Sequence, residues 1–255
     1  MSLAPASPSP VVLIAGVTGG LGSDLARRLT AAGWQVAGYA RSTEKLAALR
    51  AELPALFTVE CDATQFAQVD AAVAATVAHF GRLDAYVHCV GSIFLKAAHL
   101  TKPEEWHRVL DLNLNSAFYG LRAAVGPMQT QGGGSIVLLS SVAAQAGLPG
   151  HEAIAAAKSG INGLVLSAAA SYAPRNIRIN AVAPGLVDTP LAGPLLASEQ
   201  SRAFSEKMHP LGRVGRPANI TSLLAWLLTP EADWVTGQIW SVDGGLAHLR
   251  PRPKA

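Results

Sequence analysis

The sequence contains little cysteine, few aromatic residues and little charge. Of its 255 residues, 2 are cysteines, 6% are Phe, Trp or Tyr, and 15% are Asp, Glu, Lys or Arg. Cys61 and Cys89 have neither CxxC nor metal-ligand spacing and lie on separate predicted strands, which argues against a disulfide framework and favours a reducing compartment. Because 50% of the residues are hydrophobic, we expect a core of Ala, Val and Leu between closely packed layers.

Long hydrophobic runs and basic clusters are also missing. No apolar run reaches the roughly 18 residues of a membrane-spanning helix, and residues 1–10 lack the basic and apolar regions of a signal peptide. The net charge is +3, but the basic residues are dispersed except in a short tail at 250–254. Nucleic-acid binding requires a clustered basic face. We therefore expect a cytoplasmic protein that binds neither membranes nor nucleic acids.

Short apolar segments rich in β-branched residues alternate with longer segments of helical periodicity. This alternation is typical of βαβ units that build a parallel sheet. It predicts strands at 11–15, 35–40, 57–60, 85–88, 135–139, 178–182 and 238–242, and helices at 21–32, 43–53, 65–79, 104–131, 151–172 and 218–228. The length suits one domain, which we place at 11–246, between a leader at 1–10 and a mobile tail at 247–255.

One segment between the predicted elements is too long for an ordinary connection. Residues 188–216 contain Pro190, Gly193, Pro194, Pro210 and Gly215. Long excursions of this kind are usually functional. We predict that this segment is a substrate lid.

A glycine-rich turn follows the first predicted strand and precedes an amphipathic helix. Its sequence is Gly16-Val17-Thr18-Gly19-Gly20-Leu21-Gly22. Glycine allows a tight turn and lets a pyrophosphate approach the N–H groups at a helix N-terminus. Because such turns also occur as simple loop geometry, other motifs must decide between these interpretations. The candidate phosphate-binding residues are Gly16, Thr18, Gly20, Leu21 and Gly22.

This turn resembles the Thr-Gly-x-x-x-Gly-x-Gly motif of the short-chain dehydrogenase/reductase family, with Ala15 in place of the threonine. The resemblance covers residues 11–246 and is closest to 3-oxoacyl-acyl-carrier-protein reductases. Asp62 matches the acidic residue that holds the adenine, and residues 180–190, Asn-Ala-Val-Ala-Pro-Gly-Leu-Val-Asp-Thr-Pro, match the nicotinamide-side motif. The resemblance implies cofactor contacts from Asp62, Gly91, Pro184, Gly185, Val187 and Thr189.

The family resemblance also implies a fold and an assembly. The expected fold is a single Rossmann-type doubly wound α/β domain, with a seven-stranded parallel sheet and helices on both faces. The expected assembly is a homo-oligomer, either a tetramer or a dimer.

Residues 88–91 depart from the family's pattern. Where the family has Asn-Asn-Ala-Gly, this chain has His88, Cys89, Val90 and Gly91. Two neighbouring ligand-type side chains do not make a metal site. We predict no metal site and expect these side chains to repack the end of the sheet near the adenine ribose.

The end of the second predicted strand indicates which nicotinamide nucleotide binds. An NAD enzyme places a carboxylate there, on the ribose 2′-hydroxyl. This chain has Ala40, followed by Arg41 and Ser42. A carboxylate would repel a 2′-phosphate, whereas Arg41 can pair with it, so NADP(H) is favoured over NAD(H). The alternative is that Arg41 is an ordinary exposed arginine in an NAD-binding site.

The family's catalytic Asn, Ser, Tyr and Lys match Asn113, Ser141, Ile154 and Lys158. In the family, a phenol whose pKa is lowered by the lysine protonates the alkoxide formed from a carbonyl. Ile154 can neither donate nor accept a proton. Ser141 can still bond the developing oxyanion, and loss of the general acid costs roughly 10²–10⁴ in rate.

His151 lies three residues before Ile154 and would share its helix face if the helix has begun there. An imidazole exchanges protons near neutral pH, so His151 is a candidate replacement for the phenol; it can equally be an exposed residue at a helix start. Lys158 can relay protons or only contact the nicotinamide ribose.

Two functions remain open. The first is an atypical NADP(H)-dependent oxidoreductase that interconverts a small-molecule carbonyl and an alcohol. The second is a catalytically silent NADP(H)-binding homologue that acts as a redox sensor or as a partner subunit.

Overall fold

The computed structural model describes residues 9–250, so most of the predicted leader and the end of the predicted tail lie outside the described residues. A seven-stranded, fully parallel sheet has the strand order β3-β2-β1-β4-β5-β6-β7. Its strands are β1 Val11–Ala15, β2 Gln35–Ala40, β3 Phe57–Glu60, β4 Ala85–His88, β5 Gly134–Leu139, β6 Ile177–Pro184 and β7 Ile239–Val242. The predicted parallel sheet is confirmed.

Helices cover both faces of the sheet, as predicted. They are α1 Gly20–Ala31, α2 Thr43–Glu52, α3 Phe66–Phe80, α4 Pro103–Leu110, α5 Ser116–Gln131, α6 Glu152–Tyr172, α7 Glu199–Met208 and α8 Pro217–Leu228. Successive side chains of a strand point to opposite faces. On β1, Leu13 and Ala15 therefore pack with α3, α5 and α6, whereas Val12 and Ile14 pack with α1, α2 and α8. The core is rich in Ala, Val and Leu.

Proline and glycine set several helix ends. Pro103 begins α4 and Pro217 begins α8, because proline lacks an N–H that the first turn would leave unbonded. Gly81 and Gly132 end α3 and α5 with φ of 78° and 96°, a left-handed conformation that glycine adopts without steric cost.

The helix predicted at 104–131 is not continuous. A π-helical turn, Asp111–Asn115, separates α4 from α5, and the N–H of Ser116 donates to the carbonyl of Asp111, five residues earlier. Such single turns insert one extra residue and often occur at functional sites. The apolar pattern on both sides keeps its helical period, so sequence periodicity did not reveal the insertion.

The predicted lid contains regular structure that the prediction missed. Within 188–216 lie a 3₁₀ segment, Pro190–Leu196, and α7. The hydroxyl of Ser198 caps α7 by accepting from the N–H of Ser201. Val187 and Gly215 pair as an isolated parallel bridge, which brings the two ends of the segment together.

The folded part of the chain extends beyond 246, where the mobile tail was predicted to begin. Ala247 is buried, and its N–H donates to Oδ2 of Asp243 at 2.8 Å. The proline and basic residues that suggested a solvated tail lie farther on, mostly outside the described residues.

One segment of the described chain, Glu152–Arg175, is long and apolar enough by length and composition to cross a membrane, with a mean hydropathy of 1.3. This segment is α6 and the turn after it. Ile161 and Val165 of α6 are fully buried in the core, so the packing of this helix on the sheet accounts for part of its apolar composition.

Two glycines of α5 provide a test of the packing. A Cβ on Gly120 would overlap the hydroxyl of the buried Tyr86, whereas a Cβ on Gly126 would have no neighbour within 4 Å. We predict that Gly120→Ala lowers the free energy of unfolding by about 1–3 kcal/mol through overpacking. The matched Gly126→Ala should leave it unchanged or raise it by up to about 1 kcal/mol through helix propensity. Equal effects in denaturant titrations would contradict this packing.

Candidate active site

A large cavity opens at the carboxyl ends of the parallel strands. The strand order reverses between β1 and β4, and in doubly wound sheets ligands bind in the crevice at such a reversal. The cavity has a volume of about 1110 Å³. Every residue predicted to bind cofactor or to act in catalysis lines it, except Gly22 and Asn113, which lie behind its wall.

The glycine turn is built by backbone contacts that exclude side chains. Gly16 has a φ of 71°, and the N–H of Gly19 donates to its carbonyl at 3.0 Å. A Cβ on Gly22 would overlap that carbonyl, and a Cβ on Gly20 would lie 2.8 Å from Thr189. Because the first N–H groups of α1 have no acceptor within the helix, this wall fits the pyrophosphate of a dinucleotide.

Cations line the end of the cavity beside β2. Arg41, Ser42 and Lys45 follow the last residue of the strand, Ala40, and all three line the cavity. The hydroxyl of Ser42 accepts from the N–H of Lys45 at 3.2 Å and caps α2. Sequence reasoning missed Lys45, although its place in the first turn after a capping serine was a usable signal.

Asp62 lies on the same side of the cavity and shapes the turn after β3. Its Oδ1 accepts from the N–H of Thr64 at 2.9 Å and from its hydroxyl at 2.8 Å. The N–H of Asp62 donates to Oε1 of Gln68 at 2.8 Å. Its second carboxylate oxygen is left for a ligand or solvent.

Lys158 is buried at the centre of the cavity wall. Its Nζ donates to the carbonyl of Leu139 at 2.7 Å, and burial lowers the pKa of its amine to about 8. The nearby Cys89 opposes this shift, but the effect of burial is the larger of the two. Burial raises the pKa of the Cys89 thiol to about 12, so Cys89 is not a thiolate nucleophile at neutral pH.

Ser141 and Asn113 occupy different positions relative to the cavity. The hydroxyl of Ser141 accepts from the N–H of Ala143 at 3.1 Å, which leaves its proton for a ligand. Asn113 instead holds the loop after β4: its Oδ1 accepts from the N–H of Ser92, and its Nδ2 donates to the hydroxyl of Ser92, both at 2.9 Å. Ser92 was not predicted from the sequence.

At the position of the family's catalytic tyrosine, Ile154 places a hydrocarbon side chain on the cavity wall. It is 5% exposed and packs with Val109, Ala143 and Ala157. His151 lies just before α6, which begins at Glu152, so the assumption that His151 lies within the helix is not met. It nevertheless lines the same cavity as Ile154. Its Nδ1 donates to the carbonyl of Pro149 at 2.9 Å, which leaves Nε2 for a ligand.

The remaining part of the cavity is mainly apolar. Its wall includes Ile93, Leu95, Leu148, Leu191, Leu195 and Phe204. Charged side chains on the described cavity wall are confined to Arg41, Lys45, Asp62 and Lys158, apart from histidines. This part of the cavity fits a neutral, apolar molecule better than an ionic one.

His209 ties the predicted lid to the loop after β6. Its Nε2 accepts from the N–H of Leu186 at 3.2 Å, and its Nδ1 donates to the carbonyl of Ser205 at 2.7 Å. These two bonds require the neutral Nδ1–H tautomer. Sequence reasoning missed this residue because only the fold brings the end of α7 to this loop.

Within residues 9–250, no three His, Cys, Asp or Glu side chains come together in a way that could hold a metal ion. Of the neighbouring ligand-type residues His88 and Cys89, His88 is fully buried and hydrogen-bonded to Tyr86 and Ser116.

The fold and the cavity define a dinucleotide-binding α/β protein, and comparison with known proteins specifies its family. The profile described as Enoyl-(Acyl carrier protein) reductase matches residues 16–247. The chain is 35% identical over 241 residues to 3beta-hydroxysteroid dehydrogenase 1 of Eggerthella lenta, covering 92% of each chain. It is 34% identical over 239 residues to the 3-oxoacyl-acyl-carrier-protein reductase FabG of Staphylococcus aureus, covering 92% of this chain and 96% of the relative.

Solved structures of related proteins support the same family assignment. A short-chain type dehydrogenase/reductase from Mycobacterium ulcerans is 32% identical and superposes with a TM-score of 0.90, over 93% of this chain and 90% of the other. A variant of actinorhodin polyketide ketoreductase with NADPH is 30% identical, with a TM-score of 0.91 over 94% and 98%. The chain belongs to the short-chain dehydrogenase/reductase family, whose members bind a nicotinamide cofactor.

The buried lysine provides a test of the site's electrostatics. Its pKa of about 8 lies below the ordinary value of 10.5. The unfolded chain therefore binds a proton that the folded protein releases between these values, so this group makes stability rise with pH across that window. In NMR titrations of 13Cε-lysine-labelled protein, we predict one lysine with a midpoint near 8. That signal should vanish in Lys158→Met and persist in Lys45→Met; a spectrum without it would contradict the burial.

Proposed function

We propose that this protein is an NADP(H)-dependent oxidoreductase that interconverts a carbonyl and an alcohol. The observation that carries this proposal is a single cavity that joins the glycine turn and a cationic end to Ser141 and Lys158. Relatives named as a hydroxysteroid dehydrogenase, an oxoacyl reductase and a ketoreductase support the reaction class.

Different groups of residues bind different parts of the cofactor. The glycine turn, with Thr18 and Leu21, would hold the pyrophosphate at the start of α1. Asp62 and Gly91 would hold the adenosine half, and Pro184, Gly185, Val187 and Thr189 would hold the nicotinamide half. Gly22 acts from behind the wall, because any side chain there would displace the turn.

Arg41 and Lys45 favour NADP(H) over NAD(H). Both line the cavity beside the end of β2, where Ala40 leaves no carboxylate to repel a 2′-phosphate. Arg41 offers a planar set of donors that matches phosphate oxygens, and Ser42 adds a hydroxyl beside it.

The reaction centre places donors and positive charge around a substrate oxygen. The cofactor, when bound, supplies or accepts the hydride. Ser141 donates to the oxygen, and the buried ammonium of Lys158 stabilises negative charge developing on it. Protonated His151 supplies the proton through Nε2, since its Nδ1 is used by the Pro149 carbonyl. Asn113 holds the neighbouring loop through Ser92.

The substrate is a neutral and largely apolar carbonyl or alcohol. Leu191, Leu195 and Phe204 of the proposed lid at 188–216 line the cavity, and Ile154 extends the apolar wall to the reaction centre. An anionic substrate would lose its hydration there without gaining a cationic partner. A cytoplasmic location and a dimeric or tetrameric assembly complete the proposal.

A second candidate is a silent NADP(H)-binding homologue that acts as a redox sensor or as a partner subunit. It is favoured by one observation: the residue at the position of the family's catalytic phenol is Ile154, which packs against hydrocarbon side chains.

Arg41 tests the cofactor assignment. We predict that NADPH binds more tightly than NADH, and that Arg41→Ala weakens NADPH binding by about 1–3 kcal/mol, as expected for a lost charge-assisted contact, with little effect on NADH. Arg50→Ala is the control, because Arg50 is exposed on α2 and does not line the described cavity. Fluorescence titrations that show equal affinities for both nucleotides would overturn the assignment.

Position 154 tests the missing phenol. We predict that Ile154→Tyr raises NADPH-dependent reduction of neutral apolar ketones by at least about tenfold, a fraction of the general-acid effect. Ile154→Phe is the control, because it adds the same ring without the hydroxyl. Ketones of the same size that carry a carboxylate should react more slowly.

His151→Ala distinguishes two explanations of the wild-type activity: a proton donor relocated to His151, or loss of the proton donor. Turnover that this substitution abolishes would place the proton donor at His151, and the tyrosine would then add little. A silent wild type that tyrosine rescues would indicate lost chemistry. If NADPH binds but no variant reduces any ketone, the oxidoreductase proposal fails and the sensor or partner-subunit function replaces it.

A further inference from the structure

Four buried polar side chains form a chain of hydrogen bonds that begins at the cavity wall with Tyr39 and continues behind it. The hydroxyls of Tyr39 and Tyr86 are 2.9 Å apart, and the Tyr86 hydroxyl lies 2.9 Å from Nδ1 of His88. Nε2 of His88 lies 3.1 Å from the hydroxyl of Ser116. All four residues have no solvent exposure. Polar groups at such positions are costly unless every donor finds an acceptor.

The last bond fixes the direction of the whole chain. The Ser116 hydroxyl donates to the carbonyl of Leu112 at 2.8 Å, so toward His88 it can only accept. His88 must therefore carry its proton on Nε2 and accept from Tyr86 at Nδ1. Tyr86 accepts in turn from Tyr39. Burial, with Lys158 nearby, lowers the pKa of His88 to about 3, which keeps the imidazole neutral at physiological pH.

One end of the chain lies at the π-helical turn, Asp111–Asn115. In a regular α-helix, the N–H of Ser116 would bond to the carbonyl of Leu112, four residues earlier. The inserted residue diverts that N–H to Asp111. The Ser116 hydroxyl takes over the Leu112 carbonyl, and the bond from His88 holds this hydroxyl in place.

The π-helical turn in turn holds the loop at the cofactor cavity. Asn113, within the turn, bonds both the N–H and the hydroxyl of Ser92, and a Cβ on Gly91 would lie 3.0 Å from its Oδ1. Gly91 and Ser92 both line the cavity. A shift of the turn would therefore move the cavity wall.

We propose that His88 is a positioning residue that locks the π-helical turn through Ser116, so that Asn113 holds the Gly91–Ser92 loop in the shape that binds the nucleotide. This role rests on the proposed nucleotide binding, but the hydrogen-bond chain and its tautomer do not. His88 occupies a position where the family has asparagine, and its longer side chain is what reaches both Tyr86 and Ser116.

The tautomer is tested first, in the wild-type protein without cofactor. Nitrogen-15 NMR of the imidazoles should show one histidine as the neutral Nε2–H tautomer throughout the physiological pH range, and its signals should vanish in His88→Gln. A histidine at this position that is protonated on Nδ1, or that becomes charged near neutral pH, would overturn the proposal.

The positioning role is tested with variants of both partners in the His88–Ser116 hydrogen bond. His88→Leu and Ser116→Ala should each speed amide hydrogen exchange of Ser92 and the π-helical turn by about tenfold, as for a local opening, and weaken NADPH binding by a similar factor. His88→Gln, which retains a donor and an acceptor, should recover part of both. If His88→Leu fails to fold, Ser116→Ala carries the test alone.

The control removes an unrelated buried hydroxyl. Thr76 is fully buried in α3 and donates only to the carbonyl of Ala72 within its own helix. Thr76→Val should leave Ser92 exchange and NADPH affinity unchanged. Unchanged exchange in Ser116→Ala, or the same change in Thr76→Val, would overturn the positioning role. A wild type that does not bind NADPH would instead defeat the proposed function, while exchange and tautomer still report on the chain.

Discussion

The common direction of all seven strands is the constraint on which the site depends. Because the sheet is fully parallel, every strand delivers its carboxyl end to the same edge, and each helix must return the chain to the opposite edge. The glycine turn after β1, Arg41 after β2, Asp62 after β3 and Ser141 after β5 therefore meet at one cavity although they are far apart in sequence. The strand order reverses between β1 and β4. The connections after these two strands therefore lead away from each other and leave a crevice open between them.

Lys158 is a costly group to bury in this arrangement. A pKa that falls from 10.5 to about 8 corresponds to an unfavourable burial of the charge on the order of 3 kcal/mol. Packing alone would favour a hydrocarbon side chain at such a position. Ligand-binding and catalytic sites are where such groups persist. A retained Lys158 beside a replaced phenol is therefore consistent with a cavity that still binds its nucleotide, whatever group now handles the proton.

Features set by local chemistry could be predicted from the sequence, and features set by tertiary contact could not. The strands follow from runs of β-branched residues, and the turn at Gly16 follows from a conformation that glycine adopts most easily. The π-helical turn leaves the apolar period intact, and the helix α7 lies in a segment whose prolines suggested a loop. His209 reaches the site only through packing between elements distant in sequence, and so does the contact of Ser92 with Asn113, whereas Lys45 lies close to the predicted Arg41 and Ser42 in the chain. The hydrogen bonds of His88 likewise required the neighbouring strand and helix to be in place.

We propose that this cavity still transfers hydride despite Ile154. The most direct measurement is mass spectrometry of products formed by the wild-type protein from NADPH deuterated at C4 and a panel of neutral apolar ketones. We predict deuterium on the carbinol carbon of at least one product. Relative to a site that has the catalytic phenol, the rate should be lower by roughly 10²–10⁴ if no group replaces it, and by less if His151 does. Tight NADPH binding with no deuterium in any product, at a sensitivity below that limit, would contradict it.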